Sequence, residues 1–230
     1  SSAASDVYKR QPEKQRRAGI IEAIKVALIR DGEFFDEIEK SGDLLAKLDE
    51  GALEMVIRRS AELHMNHIAM GGDPFELGSA RPLDFGHWVA HKLEQISDFE
   101  IGHGEAVAIG MAVDLIYARR IGLLSEEHER RVMNLVAKIG FSLFDDRLEQ
   151  EERGKLVVLR GLEEFREHLG GQLTITLVTG LGRAIEVNEM DEAQIPSAVE
   201  ELRSRFGAAA SEVVTATLAR KPTIPATQLA

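Results

Sequence analysis

The chain has 230 residues, 44% hydrophobic and 29% charged, enough for one full core or slightly more than one small domain. A formal net charge of -11 argues against a nucleic-acid partner, whose phosphates need a basic footprint. The absence of cysteine excludes disulfides and thiolate zinc sites, leaving His, Asp and Glu as metal donors.

Residues 1–11 show neither apolar periodicity nor capping and read as a non-native leader. Pro12 opens a predicted helix to about residue 31, with Ile20, Ile21, Ile24, Ala27 and Leu28 at helical spacing. Short helices are expected over 34–39 and 44–48, then a long one over 52–70 ended by Gly71-Gly72. The Gly, Pro and Ser of 73–83 predict a loop. Helices follow over 86–97, 104–121 and 126–138, the last capped by Ser125. The period then changes. Residues 173–177 alternate strictly and 184–187 resemble a partner strand across Gly180-Leu181-Gly182. A final helix is predicted over 193–206, and the Ala-, Thr- and Pro-rich stretch 207–230 reads as a mobile tail. The expected domain, 12–206, is therefore mainly α with one small hairpin. Its longest apolar run, 106–118, contains Asp114 and is too short to cross a membrane. With no signal peptide in view, a cytoplasmic enzyme or binding domain is the default expectation.

Two histidine clusters carry the chemical signal. His87 and His91, four apart, share a helical face, and His103 precedes the long apolar helix, from where its imidazole can swing back. Neutral imidazole is the commonest metal ligand, and a catalytic ion takes about three protein donors with one position open. Glu22 is the best candidate for a further donor. It lies three residues before Lys25 beside the apolar stripe of the first helix. The simpler alternative is an exposed Glu22–Lys25 ion pair, with capping or core histidines elsewhere. The spacing does not match the His-Glu-x-x-His zinc peptidases. Residue types and spacing reach only a divalent metal site in a helical domain.

The order of motifs adds more. Gly19 to Lys25 with Asp31 and Phe34-Phe35, then Asp84 to Glu94, then His103-Gly104-Glu105-Ala106-Val107-Ala108-Ile109-Gly110-Met111 resembles the C-terminal domain of 3-dehydroquinate synthase and, more broadly, the sugar phosphate cyclase superfamily. The resemblance runs from about Gly19 to Val187. It implies a helical metal-binding C-terminal domain with Glu22, His87 and His103 as ligands to zinc or cobalt. Lys25, His91 and Glu76 match family active-site positions. It further implies a Rossmann-like NAD domain on the N-terminal side, a phosphorylated sugar as substrate, and a homodimer when full length. The implied reaction is NAD- and metal-dependent elimination of phosphate followed by intramolecular aldol cyclisation. No glycine-rich phosphate loop follows a strand in this sequence. The NAD domain is therefore expected to be missing, and the chain to bind metal without turning over alone.

The departures bear on substrate. Asn66 and Ala80 stand where dehydroquinate synthases have lysine and arginine, and Arg81 is one step away. Asp84 stands where they have asparagine, and Phe165-Arg166-Glu167-His168 where they have an Asp-Lys-Lys run. A substrate carboxylate beside Asp84 would suffer like-charge repulsion. Asp84 and His168 instead resemble cyclases of sedoheptulose 7-phosphate, such as 2-epi-5-epi-valiolone synthase. The alternatives are an authentic dehydroquinate synthase of the shikimate pathway using Arg81, an iron-type alcohol dehydrogenase, which Glu22 with Lys25 fits poorly, and a non-catalytic helical interaction domain stapled by its metal. His64, His67 and His128 fall outside the motifs and read as packing or solvent-facing residues. Trp88 is expected to pack the metal helix on the core.

Overall fold

A computed structural model of the chain describes residues 12–71, 84–168 and 171–207. The elements run α1 (Glu13–Arg30), α2 (Gly32–Lys40), α3 (Gly42–Ala46), α4 (Glu50–Gly71), α5 (His87–Ile96), α6 (His103–Arg120) and α7 (Glu126–Ile139), then β1 (Glu151–Glu152), β2 (Lys155–Leu156), α8 (Arg160–His168), β3 (Ile175–Gly180), β4 (Arg183–Val187) and α9 (Ile195–Phe206). Short 3-10 turns at Asp146–Glu149, Val157–Leu159 and Glu192–Gln194 join some of them.

The architecture follows from α6. All residues from 106 to 118 are buried, so this helix is apolar on every side and can only be a central element. Helices α1, α5, α7 and α9 and strand β3 pack around it. Helix α1 offers Ile20, Ile24, Ala27 and Leu28 to the same core, and α4 packs on α1. Asp31 caps α2 by accepting from the Phe34 amide at 3.0 Å, and its other oxygen takes Arg59 of α4 at 2.8 Å. Ser125 caps α7, accepting from the His128 amide at 3.2 Å. At the far end Glu129 is buried and takes Arg119 together with Arg205 at 2.6 Å, tying α6, α7 and α9.

Strands β3 and β4 pair antiparallel, with Ile175 opposite Val187 and Leu177 opposite Ile185. Their turn seats Gly182, at φ +76°, against Gly32; a Cβ there would lie 2.1 Å from the Gly32 nitrogen. A second antiparallel pair, β1 with β2, departs from the expected single hairpin. Helix α8 is also absent from the sequence expectation. It is short, and Leu162 and Phe165 alone give it a buried edge. The boundaries of the expected helices otherwise fall within a few residues of those observed. Among the described residues no helix is long and apolar enough to cross a membrane. The expected leader 1–11 and nearly all of the expected tail lie outside the described residues.

Where α5 begins, its backbone touches α6. A Cβ on Gly110 would sit 2.0 Å from the Gly86 oxygen, and one on Gly86, at φ +78°, 2.6 Å from the Met111 nitrogen. Both positions require glycine. One turn beyond Gly110, fully buried Asp114 accepts from the Gly86 amide at 3.0 Å and from the Trp88 indole at 2.8 Å. Trp88 is itself buried, as expected for a residue that packs α5 on the core.

Two outcomes are expected here. Asp114→Ala leaves two buried donors without an acceptor and should lower the unfolding free energy by about 2–5 kcal/mol in urea titrations. Burial also lifts the Asp114 carboxyl from 3.8 to about 7, against the bonds from Trp88 and Gly86. Between those values the folded chain retains a proton that the unfolded chain has released. The associated stability is present in full below about pH 4 and lost as pH rises through about 7. The stability advantage of wild type over Asp114→Asn should therefore shrink as pH is raised through this window; an advantage that grows contradicts the assignment.

Candidate metal centre

Three elements deliver donors to one point beside this crossing. Glu22 projects from the middle of α1, His87 is the first residue of α5 and His103 the first of α6. Their ligand atoms all lie within 4.8 Å of one another. Donors around one tetrahedral zinc ion stand ~3.3 Å apart, so small side-chain adjustments close the triangle. The rings of His87 and His103 are 5.5 Å apart between centroids, and that of His91 is 5.4 Å from His87 and 6.4 Å from His103. His91 is exposed, one turn along α5, outside the triangle of close donors.

The hydrogen bonds aim the donors. His87 Nδ1 bonds the Phe85 carbonyl at 3.1 Å, leaving Nε2 as the free lone pair. Burial, reinforced by the neighbouring Lys25 ammonium, depresses His87 to about 3, so it is neutral and able to ligate at physiological pH. Lys25 is buried; its ammonium pairs with Glu22 Oε2 at 2.6 Å and approaches His87 Nε2 at 3.5 Å. The second oxygen, Glu22 Oε1, is buried and has no hydrogen-bond partner among the described residues, with His103 Nε2 3.8 Å away. A buried carboxylate oxygen without a donor, beside one imidazole and in a group that converges with a second, is the feature expected of a cation site. One carboxylate and two imidazoles suit zinc or cobalt and leave a coordination position for a small ligand.

The other sequence candidates fall less tightly. Asp84 is half-buried just ahead of α5, Asn66 is exposed near the end of α4, and His168 closes α8. Glu76, with Ala80 and Arg81, lies outside the described residues. The exposed Glu22–Lys25 ion pair offered as the simpler reading is only half met. The pair forms, but its lysine is buried and its glutamate keeps one oxygen unused. Glu94 escapes the sequence reading although its signal is present, since it lies seven residues after His87 on the same face of α5. Its carboxylate bonds His103 Nδ1 at 3.2 Å.

A family model described as 3-dehydroquinate synthase C-terminal matches residues 19–157. The chain is 32% identical over 202 residues to the 2-epi-5-epi-valiolone synthase of Streptomyces glaucescens, covering 87% of this chain and 50% of that protein. It is 35% identical over 189 residues to the 3-dehydroquinate synthase of Nitrosospira multiformis, covering 82% and 48%. Among solved structures, the 2-epi-5-epi-valiolone synthase of Streptomyces hygroscopicus subsp. jinggangensis, with NAD+ and Zn2+ bound, matches at a TM-score of 0.76 and 27% identity, over 87% of this chain and 54% of that one. The chain spans about half the length of the curated relatives it matches.

Replacing Lys25 by Met removes the buried partner of Glu22. Because Glu22 is 39% exposed and can recruit water, the expected loss is about 1–3 kcal/mol in denaturant unfolding, below the cost of breaking a fully buried pair.

Proposed function

Because the chain belongs to the 3-dehydroquinate synthase C-terminal family, we propose that it is the metal-binding half of a sugar phosphate cyclase. The observation that carries the reading is the convergence of a Glu22 carboxylate oxygen and the His87 and His103 rings within 4.8 Å, with Glu22 Oε1 unpartnered among the described residues. In this proposal the three residues hold a divalent ion, Zn2+ or Co2+, and NAD+ is the second cofactor of the whole protein. A bound ion supplies Lewis-acid polarisation of a substrate oxygen, and NAD+ supplies transient oxidation of the adjacent carbon.

The chain's own residues then divide the remaining work. Lys25, fixed between Glu22 and His87, presents a buried positive charge to the substrate's leaving phosphate. His91, exposed beside both ligand histidines, exchanges protons with that phosphate. Asp84 and His168 select sugar hydroxyls, with Glu76 and Asn66 completing the active-site set. The acid at Asp84 favours a sugar phosphate lacking a carboxylate, such as sedoheptulose 7-phosphate, because it would repel a carboxylate in a poorly hydrated site. The 35% identity to a 3-dehydroquinate synthase supports a second reading, in which the substrate does carry a carboxylate.

Calorimetric titration of the purified chain with Zn2+ should show about one ion bound. Glu22→Gln, His87→Ala and His103→Ala should each weaken uptake by roughly 100-fold or more, while His91→Ala changes it only a few-fold. Equal binding by all four variants would sink the assignment. For the substrate, phosphate release by the protein containing this chain should be faster with sedoheptulose 7-phosphate plus NAD+ than with a carboxylate-bearing sugar phosphate. The reverse preference selects the second reading.

A further inference from the structure

We propose that Glu94 is a positioning residue that fixes the tautomer and orientation of His103, an inference that rests on the metal-site reading above. Of the two imidazole donors, His87 is buried and held by a backbone carbonyl. Among the described residues no backbone carbonyl holds the His103 ring in this way. His103 is the first residue of α6, its side chain is 48% exposed, and it follows a glycine in extended conformation. An imidazole in that setting samples several rotamers and both neutral tautomers. Among the described residues the His103 ring hydrogen-bonds one side chain, from Nδ1 to Glu94 Oε1 at 3.2 Å, with Glu94 only 16% exposed. A carboxylate accepts only, so Nδ1 carries a proton, and in the neutral ring that a metal requires Nε2 holds the lone pair. Nε2 is the atom that faces Glu22 Oε1.

The backbone under Glu94 is equally well fixed. Its carbonyl accepts the Phe99 amide at 2.8 Å and the Ser97 hydroxyl at 3.1 Å. The same Ser97 oxygen receives the Ile101 amide at 3.3 Å. The carboxylate is therefore launched from the tied end of α5 onto the first residue of α6, across the link that joins them. Lys92, two residues earlier on α5, is taken up by Gln95 and Glu164. A carboxylate on the outer nitrogen also makes the imidazole a stronger donor, and losing such a partner commonly weakens metal affinity by about 10–100-fold.

The test compares the wild-type chain with Glu94→Ala and Glu94→Gln by two readouts. Two-bond nitrogen–proton correlation spectra of the metal-free chain report the His103 tautomer. Co2+ titration, followed through its visible absorption, reports affinity. Wild type should show His103 protonated at Nδ1. Glu94→Gln, whose amide oxygen still accepts, should keep that tautomer and lose little affinity. Glu94→Ala should shift it toward Nε2–H and weaken Co2+ binding by about 10–100-fold, with the thermal midpoint of the metal-free chain nearly unchanged. A merely structural glutamate would move the midpoint and leave the tautomer alone. Wild-type His103 protonated at Nε2, or Co2+ affinity untouched by Glu94→Ala, overturns this inference by itself. A wild-type chain that takes up no Co2+ at all overturns the metal-site reading and this inference together.

Discussion

A buried carboxylate at a backbone-to-backbone crossing governs the site. Gly86 and Gly110 let α5 and α6 touch without side chains between them, and Asp114 then binds both the Gly86 amide and the Trp88 indole. Those two residues flank His87. The first histidine is thus set by its neighbours on either side before any ligand is considered. A similar close approach seats α1: a Cβ on Gly104 would lie 2.6 Å from Ala18 Cβ, next to the turn that carries Glu22. Small residues at both contacts bring three rigid helices close enough for side chains of ordinary length to meet.

Such an arrangement places donors on regular elements instead of loops, which gives a metal site its precision. It also concentrates charge management in a few atoms. Lys25 neutralises one oxygen of Glu22 and leaves the other bare, while burial keeps His87 neutral. The overall charge of -11 gives no attraction for an anion, and the buried ammonium of Lys25 is a local positive charge beside the three donors.

Much of this is legible in the sequence, for identifiable reasons. The four-residue spacing of His87 and His91 is a helical signal, the apolar run of α6 reflects burial on every side, and the alternation of residues 173–177 marks β3 although Thr176 is buried with its neighbours. Glu22 and Lys25 are harder, since i, i+3 charge pairs usually face solvent; the packing of α1 against α4 and α6 is what buries Lys25 and half-buries Glu22. Asp114 reads in the sequence as an interruption of an apolar run, because its partners lie 28 and 26 residues away across a glycine contact. Glu94 is hidden by the same logic, needing the α5–α6 link to bend before it meets His103. Helix α8 has too few turns to produce a clear period, and β1 with β2 pairs only two residues on each side.

The central claim is that Glu22, His87 and His103 are the protein donors to one divalent ion. X-ray absorption at the zinc edge of the zinc-loaded chain tests it most directly. The expected spectrum shows about four light donors at ~2.0–2.1 Å with the multiple-scattering signature of two imidazoles, reduced to one imidazole in His103→Ala. A shell containing three or more imidazoles, or one unchanged by His103→Ala, would contradict it.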